Sequence, residues 1–257
     1  MVVCGSIGTT TALWSTGGVL VAVVLGACVW VRRSSWRYRW DYALTLTAIL
    51  DAVGLLMCLP VPGRYLDWAL HYLTGVNNVN NYIGHLCFLS AIGWTIFALC
   101  CRLLPDDQLR REMRWVEIPG AAAAAAMLIA LVCSHSPHTA NFFSLPVNTW
   151  LRVYWLVFGS VVAYLLVWMG RMLLVMRTDP RSKVSATTSL IAVVLGIITV
   201  ALRVTATVFP HTAPWATTWT WIFLCAAITS GTAGAAWSWV RGMHEAVTGS
   251  SVDQASN

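Results

Sequence analysis

Charge is what this sequence has least of. Of 257 residues only 10% are Asp, Glu, Lys or Arg, against 58% apolar or aromatic. Soluble domains carry about 25% charged residues, so a water-facing surface cannot be assembled from this chain. Paired cysteine motifs are missing too. Cys4, Cys28, Cys58, Cys87, Cys100, Cys101, Cys133 and Cys225 lie mostly inside apolar runs and never as C-x-x-C, which argues against a zinc site or a disulfide lattice and for thiols used as small apolar fillers. No Ser-His or His-rich constellation occurs at membrane depth, since His135, His138, His211 and His244 fall in connectors or the tail. The sequence therefore reads as a protein without catalytic residues, bound metal or cofactor, and not as an enzyme. No internal repeat and no matched pair of Gly/Pro-interrupted spans is present, as inverted-repeat transporters would have.

Lysine is nearly absent as well: Lys183 stands against fifteen arginines. Lys183 falls in a connector, so no span offers a Schiff-base amine and a retinal protein is disfavoured. Arginine codons are GC-rich and lysine codons are not, so the bias fits an actinobacterial host or one of its phages. The net charge of +6 does not point to nucleic acid, because the basic residues form short clusters beside apolar spans, as a bilayer requires.

What is present is a series of long apolar runs. Crossing roughly 30 Å of hydrocarbon takes about twenty residues, and such runs occur near 12–31, 42–61, 82–101, 115–134, 149–171, 186–208 and 217–240. They are continuous rather than alternating, which excludes a lipid-facing barrel. The expected fold is an all-α integral membrane bundle of seven transmembrane helices over residues 1–240, with a disordered cytoplasmic tail at 241–257. Arg32, Arg33, Arg37 and Arg39 follow the first span; Arg102, Arg110, Arg111 and Arg114 the third; Arg171, Arg177, Arg181 and Lys183 the fifth; Arg241 the seventh. The positive-inside rule then puts the N-terminus outside and the C-terminus in the cytoplasm of a bacterial cell whose cytoplasmic membrane the chain crosses repeatedly. Trp14, Trp68, Trp150, Trp215 and Trp219 fall at outer ends, and Trp36, Trp40, Trp115, Trp168, Trp237 and Trp239 at inner ends, where amphipathic rings prefer to lie.

Two polar features interrupt this pattern. Residues 62–75 form a short amphipathic segment with Tyr65, Leu66, Trp68, Ala69, Tyr72 and Leu73 mostly on one side, suited to lying flat on the outer interface. Directly after it, "YLTGVNNVNNYIGHLC" places four asparagines and a histidine at the mouth of the third span. Two readings stand: amides capping the exposed N–H groups of a helix start, or an outer mouth of Asn78, Asn81 and His85 that receives an anion. This stretch resembles a family of actinobacterial multipass membrane proteins described as transporters of unknown substrate, which carry Leu-Thr-Gly-Val-Pro-Asn-Leu before an apolar helix with an early histidine. Leu73, Thr74, Gly75, Val76, Asn78 and His85 match, and Asn77 stands in place of the proline. The resemblance runs over about residues 40–210, through Pro146 and Arg203, and implies membership of that family without supplying catalytic residues.

The second feature is charge within the spans. Asp51 lies mid-span and Arg203 in the outer half of span six. Either alone costs at least about 3 kcal/mol against lipid, and their similar depth predicts a buried Asp51–Arg203 pair. Thr47 shares the Asp51 face; Thr199 and Thr207 share that of Arg203; Thr229 and Ser230 on span seven complete the expected cavity lining. The expected function is a transporter or channel-like protein for a small solute or ion. The alternatives are a receptor-like protein with a membrane or cytoplasmic protein partner, and a phage- or prophage-encoded exclusion protein acting at the envelope.

Overall fold

The structure, a computed structural model, describes residues 3–32, 39–137, 142–145, 147–180 and 182–255, with the backbone course alone for 3–15, 39–40, 144 and 238–255. Eight α-helices follow in order: α1 (Val3–Val31), α2 (Arg39–Cys58), α3 (Pro60–Thr74), α4 (Val79–Leu103), α5 (Asp106–Ser134), α6 (Thr149–Met176), α7 (Lys183–Val208) and α8 (Ala213–Ala255). Short 3-10 turns at Phe142–Ser144 and Pro210–Thr212 precede α6 and α8, and no strand occurs among the described residues. The fold is an all-α bundle. Six stretches are long and apolar enough to cross a membrane: Asp41–Cys58, Val79–Leu103, Asp106–Ser134, Thr149–Met176, Lys183–Val208 and Pro210–Trp237. In α1 the described apolar stretch, Thr16–Val31, is shorter.

Local chemistry explains the boundaries. Pro60 at the first turn suits its missing N–H to α3, and Gly75 ends that helix at φ 71°, a conformation that glycine adopts without a Cβ penalty. Helix α3 presents Tyr65, Trp68, Tyr72 and Leu73 as exposed side chains while Asp67 on its other side is buried. Part of the connector 102–114 turns out helical, because Pro105 sets the start of α5 and Asp106 and Asp107 sit where the positive end of the helix dipole favours them. Past residue 240, where the composition suggests an unstructured tail, the backbone of α8 stays helical to Ala255.

Packing divides the bundle in two. Helix α2 lies along α4 with α1 beside it, and α7 lies along α8 with α6 beside it; α5 packs on α6 and α4. The α2–α4 crossing is a backbone contact, since a Cβ on Gly84 would stand 2.5 Å from Cys58 Sγ and 3.0 Å from the Gly54 carbonyl. Across the other pair Ser185 Oγ donates to the Gly234 carbonyl at 3.0 Å. The outward faces carry exposed Trp68, Trp115, Trp150, Trp215, Trp219 and Trp237, in keeping with rings at membrane boundaries, whereas Trp168 is half-buried. Trp14, Trp36, Trp40 and Trp239 lie outside the residues with described side chains, as do Arg33, Arg37, Arg39, Arg181, Arg241, Pro146, His138 and His244.

Candidate functional site: a cavity between the two helix groups

Between the α1–α2–α4 group and the α6–α7–α8 group runs a cavity of about 230 Å³. Its wall includes His85 and Arg102 of α4, seventeen residues apart, which at 1.5 Å of rise per residue spans about 25 Å, most of a hydrocarbon core. The lining is mainly apolar, with small residues on α7 and α8 such as Ala192, Gly196, Ala227 and Gly231. Polar groups are few. Arg32 and Arg102 stand at one end, Thr47, Thr95 and Asp51 along the α2–α4 side, and His85 and Arg203 at the other end.

The Arg203 end is built from aromatic rings. Arg203 is 5% exposed and its guanidinium carbon lies 3.8 Å from the Trp155 ring centroid and 5.2 Å from that of Phe143, a desolvated cation–π arrangement worth about 2 kcal/mol. One guanidinium nitrogen, Nη1, donates to the Phe143 carbonyl at 2.8 Å. His85, 1% exposed, packs against Phe158 at 4.5 Å and Trp155 at 5.0 Å between ring centroids. Its Nδ1 lies 2.7 Å from the Tyr154 hydroxyl. Four buried nitrogens on residues lining this end have no hydrogen-bond partner among the described residues: Arg203 Nε, Arg203 Nη2, His85 Nε2 and Trp155 Nε1.

The expected Asp51–Arg203 pair is not formed. Arg203 is held by α6 and the Phe142–Ser144 turn, Asp51 sits on α2 against α4, and the cavity separates the two groups. Asp51 lines that space and makes no ion pair or hydrogen bond among the described residues. Among the described residues the salt bridge that does form is Arg32 Nη2 to Asp41 Oδ1 at 3.1 Å. Burial pushes the Arg32 guanidinium below its usual range, and Asp41 pulls it back up.

Two of the five residues expected to line the cavity do so. Thr47 and Thr199 do line the cavity; Thr47 Oγ1 reaches the Ala91 carbonyl and Thr95 Oγ1, each at 3.2 Å, tying α2 to α4. Thr207 is fully buried and donates to the Arg203 carbonyl at 2.8 Å. Thr229 is exposed and bonds back to the Cys225 carbonyl, and Ser230 bonds to the carbonyls of Ala226 and Ala227. Each of the three satisfies its hydroxyl within its own helix and lies off the cavity, so Thr220, Gly231 and Thr232 take the places expected for Thr229 and Ser230.

The outer mouth must also be redrawn. Asn78, Asn80, Asn81 and His85 are all buried. Asn78 occupies the helix-start position at φ 64° without a side-chain cap hydrogen bond, so neither the capping reading nor the open mouth holds. The amides serve as ties: Asn77 and Asn78 donate to the carbonyls of Ser136 and Pro137, each at 3.1 Å, and Asn80 donates to those of Met57 at 2.8 Å and Gly63 at 3.2 Å. Asn81 donates to Asn80 Oδ1 at 3.1 Å. Sequence reasoning missed Phe143, Tyr154, Trp155 and Phe158. The available signal was the spacing of Tyr154, Trp155 and Phe158 within one turn of an otherwise aliphatic span, together with Arg203's need for a partner.

No protein-family model, curated protein or solved structure matches the chain.

Proposed function

We propose that this polytopic membrane protein is a carrier or channel-like protein for a small solute or ion, which uses the cavity between its helix groups as the route. The observation that carries the reading is that Asp51 and Arg203 both line this cavity and do not neutralise each other. Intramembrane ionisable groups mark substrate or proton pathways when they face a cavity rather than lipid. A pair serving only to pin two helices would have met. The cavity's length along α4, its small-residue wall on α7 and α8, and the resemblance of residues 73–85 to multipass transporters support the same reading.

In this proposal α1 supplies a seventh crossing, the N-terminus lies outside a bacterial cytoplasmic membrane, and the Arg32–Asp41 and Arg102 end faces the cytoplasm. The test is flux into proteoliposomes, screening protons, small cations and small organic anions. Wild-type protein should conduct at least one of these above empty vesicles, and both Asp51→Asn and Arg203→Gln should lose most of that flux. Equal flux in wild type and both variants would remove the assignment of the route.

A further inference from the structure

The unmatched nitrogens at the Arg203 end name a ligand chemistry. With Nη1 committed to the Phe143 carbonyl, the guanidinium keeps its Nε–Nη2 edge, where two N–H bonds run side by side and match the two oxygens of a carboxylate. Among the described residues the Tyr154 hydroxyl has one hydrogen-bond partner, His85 Nδ1. Its proton is used only when it donates there, and that tautomer leaves the proton of His85 on Nε2 as a third donor. His85 and Arg203 are joined through the same rings, since both pack on Trp155 and Phe143. Leaving a buried donor unmatched costs about 1–3 kcal/mol, and more for a charged one, so the two guanidinium donors and His85 Nε2 together favour a partner that accepts from them.

We propose that this end of the cavity is a binding site for a small monocarboxylate with an apolar body: the carboxylate on the Arg203 Nε–Nη2 edge and His85 Nε2, the body along the aliphatic wall of α6 and α7. One negative charge balances one guanidinium, and a second on the ligand would face Asp51 across the same space. The apolar lining disfavours a fully hydrated inorganic anion. The inference rests on the cavity being a solute site, but concerns binding and not movement.

The experiment is equilibrium binding of labelled hexanoate to the full-length protein in lipid nanodiscs, with empty discs subtracted. Saturable binding is expected, displaced by unlabelled hexanoate but not by hexanol or hexylamine, and only weakly by inorganic phosphate. Arg203→Lys, which keeps the charge and loses the fork, should weaken it roughly 10-fold, and Arg203→Gln roughly 100-fold. His85→Gln should fall between wild type and Arg203→Gln. Absence of saturable binding, or equal competition by hexanol, would overturn the site using wild-type protein alone, so the result does not depend on how the variants fold. Hexanoate binding without flux supports the site and removes the carrier reading; flux of another solute without hexanoate binding does the reverse.

Discussion

Helix α4 carries two polar sets about one turn apart, and they meet opposite fates. At Asn80 and Asn81 the amide nitrogens donate to groups in the chain, so these residues join α4 to the end of α2 and the start of α3. At His85, with Arg203 beside the same rings, His85 Nε2, Arg203 Nε and Arg203 Nη2 are buried and stay unmatched, and both residues line a cavity. Buried polar groups in a membrane bundle must be satisfied. The asparagine set is structural because its nitrogens tie helices together, even though Asn78 Oδ1 and Asn81 Oδ1 stay unmatched; the unmatched donors of His85 and Arg203 differ in belonging to residues that line the cavity. Polarity alone does not separate the two sets; their place relative to the cavity does.

The comparison can be broken by substitutions that separate stability from solute handling. Gly84→Leu should have the largest effect: it forces α2 and α4 apart at a backbone contact and should destabilise by about 3 kcal/mol or more, read as loss of the thermal transition of purified protein. Next, Asn80→Ala removes the donor to the Met57 and Gly63 carbonyls. It should lower stability by about 2 kcal/mol while leaving hexanoate affinity within twofold. Arg203→Met should do the opposite, changing stability by less than about 1 kcal/mol because the lost cation–π contact and hydrogen bond are offset by removal of a desolvated cation, with hexanoate binding lost. If Arg203→Met instead unfolded the protein as readily as Asn80→Ala, the division between structural and ligand-facing polar groups would fail. Thr229→Val should change stability by less than about 0.5 kcal/mol and leave flux intact, because that hydroxyl is exposed and bonded within its own helix.

Much of the bundle was legible in advance because the physics is one-dimensional. Six of the runs expected from hydropathy coincide with helices long enough to span, as backbone N–H and C=O groups must be satisfied within the segment in hydrocarbon. Asp51, Arg203 and His85 could likewise be picked out, since each is conspicuous against its apolar surroundings. Their partners could not. Arg203 rests on Trp155 and the Phe143 carbonyl, and these arrive from α6 and from a three-residue turn in the connector before it. Similar depth suggested that Asp51 would meet Arg203, but depth fixes only the coordinate along the membrane normal.

The sequence by itself determined the element type, the approximate segment limits and the need for its few buried charges to avoid lipid, because all three follow from the energy of placing a residue at a given depth. The tertiary structure alone decided that α2 pairs with α4 and α7 with α8, that a cavity keeps Asp51 from Arg203, and that the asparagines act as ties. Those outcomes depend on how helices rotate and cross, and thus on side-chain volumes meeting across tens of residues, as where Gly84 lets two backbones touch and Trp155 holds a guanidinium in place.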